Sequence, residues 1–451
     1  MAPPPVIRAE DRATSTKDQP PAELSRETVA SAVRALDADS RAERAAAESF
    51  LLGAGPRILE WLPSADSRPL GHPLIVIIAR LEREQIEAAA RPIQLPWPAG
   101  ETVGEWLTRV ERTGLSIVVD PAATSKTPPP ETAPPKQPEW LKQPLPEGPV
   151  SVDLWDGLVR IERAFHGRFL SSDSPHTLHW TADAAPEAAR TTVAIPSGPF
   201  LARISSRGVR TIPGGTDVRA IARLGVSIQT QPGLRGLISF SAVDEIALTQ
   251  SDGTRLRPHV PGVKTELFWE RGDESPPVLF DVDWTTGLPG PVRINGAVNV
   301  LVSAAPVRSE FPRVARSTPT SARPIIRKRA GRTAALEKVS VHPAMGNTPA
   351  AIDVRLLLTV PEAARWLESH QWGALPWVAR LERTNDSGGV DTVEAQRRGD
   401  WDVRYDGVVL VDQRFEKIPE PLADWSLIIE LPGLLEKRRV EFAGEFDIVP
   451  K

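Results

Sequence analysis

Apolar residues change their spacing along this chain, from helical to mixed to alternating, and each change marks a set of predicted elements. From Ser25 the spacing is helical, with Val29, Val33 and Leu36 on one face. The stretch "SRAERAAAESFLLGAG" predicts a second helix. Ser40 is its N-cap, Glu43 stands in the capping-box position, and Gly53 and Gly55 are its stops. Pro56 opens "PRILEWLP", and "PLIVIIARLEREQIEAAA" predicts a third helix. These pieces make a helical N-terminal subdomain over 24–90, after a tail over 1–23 that reads as disordered.

Between 91 and 196 the pattern is mixed. A strand near Ile93 and Leu95, a helix turning Val103, Leu107 and Val110 inward, and a strand over Leu115 to Val119 entered through Gly114 predict a β-α-β module over 91–121. Clustered prolines over 122–148 predict an extended linker. A second β-α-β module over 149–196 follows. It has Val150 and Val152, a helix burying Leu154, Leu158, Ile161 and Phe165, then Gly167 and "TLHW". The helices nearly repeat each other, "LTRVER" from Leu107 and "LVRIER" from Leu158. Duplication of one module and chance likeness of two amphipathic faces both fit.

From about 197 the period becomes two. Val292, Ile294, Val298, Val300 and Val302 share one face of a predicted strand, and Ile352, Val354, Leu356, Leu358 and Val360 share one face of another. Further strands are "GLISF", "EIALTQ" turning at Asp252 and Gly253 into "TRLRP", "PVLFDVDW", a hairpin in "WVARLERTNDSGGVDTVEA", and "VEFAGEFDIV" with Val440, Phe442, Phe446 and Ile448 inward. They predict two antiparallel β-sandwiches, over 197–312 and 333–451, joined by a basic linker over 313–332. The closing strands match, Gly296 on Gly444, which suggests a second duplication; one large two-layer β domain fits the same pattern. The predicted fold class is α+β multidomain.

The 451 residues allow roughly three domains at about 150 residues each. A composition 41% hydrophobic and 25% charged suits folded domains, and a net charge of -4 provides no global field to gather nucleic acid. The absence of cysteine removes disulfides, thiolate nucleophiles and Cys-based metal sites. No run approaches the roughly 18 apolar residues of a membrane-spanning helix. Arg outnumbers Lys, and Ala and Pro abound, a skew typical of GC-rich bacterial coding.

Phosphate cradles, dinucleotide fingerprints, HExxH and nucleophile elbows do not occur. His176 and His179, near Asp173 and Asp183, are the best metal candidates, but a strand turns them to opposite faces. Asp281 with Asp283, and Asp400 with Asp402, offer the paired carboxylates of hydrolysis, although i and i+2 on a strand simply make a polar face. Asn385, Asp386, Ser387 and Asp391 supply oxygens without the EF-hand spacing. RGD occurs at Arg271 to Asp273 and at Arg398 to Asp400. Arg323, Arg327, Lys328, Arg329 and Arg332 form a basic cluster without interleaved aromatics. Among thirteen tryptophans, Trp366, Trp372 and Trp377 are the candidate exposed patch. No catalytic, cofactor or metal residue is assigned.

This order of elements, with "TVGEWLTRVERTGLSIVVD", "VDLWDGLVRIERAF" and the junction Ser197, Gly198, Pro199 and Phe200, resembles a group of uncharacterised multidomain bacterial proteins common among planctomycetes. The β-α-β stretches are similar to the short N-terminal domain of secretins and TonB-dependent receptors, and the helical start is similar to a HEAT-type repeat. The group has no established catalytic residues to carry over. Its members usually begin with a secretory signal, absent here, though the first residues are also what a removed signal leaves. The expected location is the periplasm or cell envelope if a signal was removed, otherwise the cytoplasm. The expected function is non-catalytic: protein interaction or scaffolding through exposed sheet edges and surface patches, with no cofactor and no nucleic acid. The alternative is a carboxylate-dependent hydrolase in the first sandwich, using Asp281 and Asp283.

Overall fold

The computed structural model describes residues 24–448, except 64–71, 120–137, 173–175, 183–190, 215–216, 243–244, 270–272, 285–290, 369–374, 396–400 and positions 330, 347, 362, 376, 386 and 406. The expected tail therefore lies outside the described residues. Helices α1 (Arg26–Ala35), α2 (Arg41–Ala54) and α3 (Pro73–Ala89) enclose Val29, Val33, Leu51, Ile58, Leu74 and Leu81. The Ser25 hydroxyl accepts from Thr28 N–H while the Thr28 hydroxyl accepts from Ser25 N–H, closing a capping box on α1. At α2 the Ser40 hydroxyl accepts from Glu43 N–H, and Gly55, at φ 72°, ends the helix in a conformation that favours glycine.

The two β-α-β units are β1 (Gln94–Pro96), α4 (Val103–Glu111) and β2 (Ser116–Val119), then β3 (Ser151–Asp153), α5 (Leu154–Phe165) and β4 (Gly167–Ser171), to which β5 (Thr177–Ala182) is added. They interlock. β1 pairs antiparallel with β3, and β5 lies between β2 and β4, parallel to the first and antiparallel to the second. One core unites them, centred on Trp106, Leu107, Val110, Leu158, Ile161 and Trp180. The facing helices meet where Trp106 lies over Gly157; a Cβ there would sit 2.5 Å from the indole. The same device recurs with Trp180 on Gly167 and Trp269 on Gly236. The stretch read as linker is not bare spacer throughout, because Glu139–Lys142 form a 3-10 turn and Leu145 is buried in this core.

The rest is antiparallel sheet. Strands β6 (Thr192–Ser197), β7 (Phe200–Gly214), β8 (Asp217–Thr230) and β13 (Val278–Trp284) form one sheet in the order β13-β8-β7-β6. Facing it are β9 (Arg235–Ala242), β10 (Ala247–Gln250), β11 (Arg255–Leu256), β12 (Lys264–Phe268) and β14 (Pro291–Ser303). A second pair of sheets contains β15 (Val307–Phe311), β23 (Ser426–Leu431), β19 (Val378–Thr384) and β20 (Val390–Glu394), opposite β16 (Ile325–Arg329), β17 (Arg332–His342), β18 (Ala351–Thr359), β22 (Val408–Glu416) and β21 (Trp401–Tyr405). The predicted alternations hold: Val292, Ile294, Val298, Val300 and Val302 are buried between the first pair, and Ile352, Val354, Leu356 and Leu358 between the second.

The expected boundary at 312 does not separate the two sheet pairs. β15 pairs with β23 in the second pair, and β24 (Leu435–Asp447) returns to the first and pairs with β14 along its whole length, Ile294 opposite Gly444. The two strands with matching glycines are thus neighbours in one sheet. The reason is burial: Val440, Phe442 and Phe446 of β24 join the core of the first pair, while Leu301 on the reverse face of β14 joins the core of the second. The basic segment 313–332 is likewise woven in, since it supplies β16 and the start of β17.

Polar joints tie the regions together. Arg332, 1% exposed, donates to Glu82 of α3 at 2.6 Å and to the carbonyl of Pro432 at 3.2 Å. Gln231 donates to the carbonyls of Ala89 and Arg91 and accepts from Ile93 N–H. Arg203 pairs with Glu162 of α5 at 2.8 Å. His176 N–H donates to Asp273, which is buried.

Candidate interaction surface

An outer strand has backbone donors and acceptors on its free side, and proteins usually blunt them. Two edges are blunted here. On β4, Glu162 accepts from Phe169 N–H and Arg203 donates to Phe169 carbonyl. On β13, residues 257–259 run alongside, with His259 N–H donating to Asp281 carbonyl and Asp283 N–H to Arg257 carbonyl.

β20 is different. Asn385 N–H bonds Gly389 carbonyl across the hairpin, and the register continues Arg383 opposite Asp391 and Leu381 opposite Val393. Those pairs exchange the ladder bonds, so the N–H and C=O groups of Val390, Thr392 and Glu394 point to the open side. No strand lies beyond β20 among the described residues. It carries no lysine, proline or bulge, and Val390 is 61% exposed.

Beside this edge is a cleft of about 640 Å³, lined among others by Arg308, Arg313, Glu382, Arg383, Val390 and Asp424. Most of its charge is paired. Arg308 meets Glu382 at 2.7 Å, and Arg380 bridges Glu382 at 2.6 Å and Glu430 at 2.7 Å. Burial opposes ionisation of Glu382, but hydrogen bonds from Arg380 and Arg308 outweigh it and hold the carboxyl below its usual range. Burial raises Glu394, helped by Glu430 and Glu382 and opposed by Arg380. Arg383 holds Asp391 at 2.9 Å and lies over the Trp425 ring.

Among the described residues the sequence candidates are scattered, and none of those described is brought with another into one reactive cleft. Asp281 and Asp283 lie on the outer side of β13. Arg223 binds Asp281 through two bonds and Arg210 adds a third, which holds that carboxyl well below its usual range; Asp283 pairs with His259. Such an Asp281 stays ionised and is no proton donor. His179 is exposed on β5, Asp173 and Asp183 lie outside the described residues, and among the described residues no group of three His, Asp or Glu is placed to hold a metal. Asn385 Oδ1 accepts from Ser387 and Gly389, so it serves the turn, and Asp386 lies outside the described residues. In the RGD tripeptides Asp273 is buried, and Arg271, Arg398 and Asp400 are outside the described residues. The basic cluster is dispersed: Arg327 bonds Glu310 carbonyl, Arg329 bonds Glu60 carbonyl, and Arg332 is buried. Trp366 and Trp377 are half-buried, and Trp372 is outside the described residues.

No family model matches the chain, and no curated protein matches it. Among solved structures, the conserved domain protein from Bacillus anthracis aligns with 57% of this chain and 90% of its own, at 12% identity and a TM-score of 0.16. That likeness is too slight to carry an argument.

Proposed function

We propose that this chain is a non-catalytic interaction or scaffold protein of the bacterial cell envelope that binds protein partners by strand addition at exposed sheet edges. The carrying observation is the outer side of β20, bare among the described residues, with Val390 exposed at 61%, whereas the β4 and β13 edges are covered. A partner strand laid along β20 gains main-chain bonds from Val390, Thr392 and Glu394. The envelope location rests on the similarity of the small domain to the short N-terminal domain of secretins and TonB-dependent receptors. Among the described residues no helix is long and apolar enough to cross a membrane.

Thr392→Pro tests the binding mode, because it removes one outward N–H and leaves the ladder to β19 intact. Affinity capture from envelope and cytosolic fractions is expected to recover an envelope protein with the wild-type chain, and about tenfold less of it with a variant of unchanged thermal midpoint. Equal recovery by both chains, or no partner from either fraction, overturns the proposal.

A further inference from the structure

The open seam of the first sandwich, between β12 and β13, holds a cavity of about 170 Å³ lined by Ser241, Ile246, Val260, Val263, Val278 and Phe280. Its mouth gathers exposed apolar residues: Val260 is 55% exposed, Val263 42% and Leu279 50%. Loop residues leading into β12 and the outer strand β13 thus keep apolar surface at one opening, where a soluble domain normally scatters it.

Two serines on the inner face of β9 show what is special about the floor. The hydroxyl of Ser239 accepts from the indole N–H of Trp269 at 2.8 Å. Two residues on, Ser241 is only 7% exposed, lines the cavity, and its hydroxyl has no hydrogen-bond partner among the described residues. A buried hydroxyl left unmatched is destabilising, so a ligand atom that pairs with it is favoured. The charges at the rim do not answer it, because Arg223 and Asp281 bind each other at 2.8 and 2.9 Å.

We infer that this cavity is a binding site for a compact neutral ligand with an apolar body and one hydrogen-bonding atom, phenol-like in class. Ser241 is the polar partner, and Ile246, Val278 and Phe280 enclose the body. The size fits: a cavity of about 150 Å³ lined by aliphatic side chains accepts a benzene ring. Neutrality follows from the self-paired rim, because among the described residues the charged ones that line the cavity, Arg223 and Asp281, bind each other. This site is independent of strand addition at β20.

The test uses the full chain and a matched pair of probes, 4-fluorophenol and fluorobenzene, each titrated by ¹⁹F NMR. Both are expected to bind saturably, with 4-fluorophenol tighter by about 2–10-fold, the range of one net hydrogen bond. Ser241→Ala is expected to abolish that preference. Val263→Trp, at an exposed mouth position, is expected to lower the affinity of both probes at least tenfold. The inference is overturned if neither probe saturates, if the preference survives Ser241→Ala, or if Val263→Trp leaves binding intact.

Discussion

His176 shows how a single side chain can be bound to one pH range. It sits in the left-handed region at φ 50°, just before β5, with its backbone N–H held by Asp273 and its buried Nδ1 without a partner among the described residues. Burial lowers its pKa, Asp273 works against that, and Arg235 adds to it. The folded value therefore lies below the unfolded value of about 6.5. Stability tied to neutral His176 is complete above about pH 6.5 and is lost as pH falls through the folded value. The thermal midpoint of the wild-type chain is expected to drop between pH 7 and pH 5 by more than that of His176→Asn, a residue that tolerates the left-handed region. Equal drops would place the acid sensitivity elsewhere. None of this is written in "DSPHTLHW", which shows a histidine and not what buries it.

At the level of elements, tryptophan on glycine is the recurring joint. Gly157 of α5 exists to receive Trp106 of α4, since a methyl there would lie 2.5 Å from the ring. Gly157→Ala is expected to lower unfolding free energy by about 1–3 kcal/mol in chemical denaturation, whereas Gly53→Ala, with nothing within 4 Å, is expected to have the opposite sign because it removes a helix-weakening glycine. Element types were legible because periodicity is local: β14, β18 and β24 were readable from which residues alternate. Pairing was not, because β1 with β3 and β14 with β24 are chosen by burial between distant segments. Matching Gly296 with Gly444 by their alternation could not reveal that the two strands lie side by side, with Gly444 opposite Ile294 and Gly296 opposite Phe442, because pairing is a property of register. The cavity at Ser241 was invisible for the same reason. In "GLISFSA" its serine is one small residue among strand formers, and only the third dimension separates it from satisfied Ser239.

For the whole molecule, β24 decides what counts as a unit. A chain ending at Gly433 lacks Val440, Phe442 and Phe446 from the first core. It is expected to lose cooperative unfolding of the first sheet pair and to bind a dye for exposed apolar surface, whereas two self-contained sandwiches would leave 197–312 unaffected. Near-ultraviolet circular dichroism of the truncated chain, and of 191–312 alone, distinguishes the cases. The buried Arg332–Glu82 pair adds a second tie, from β17 to α3. The return of β24 also sets a timetable. Roughly 130 residues separate the end of β14 from its neighbour, which at 5–20 residues per second is about 7–26 seconds of translation. Through that interval the nascent first sheet presents the side of β14 to the cell, so a chaperone or an early-folding intramolecular shield belongs at that strand.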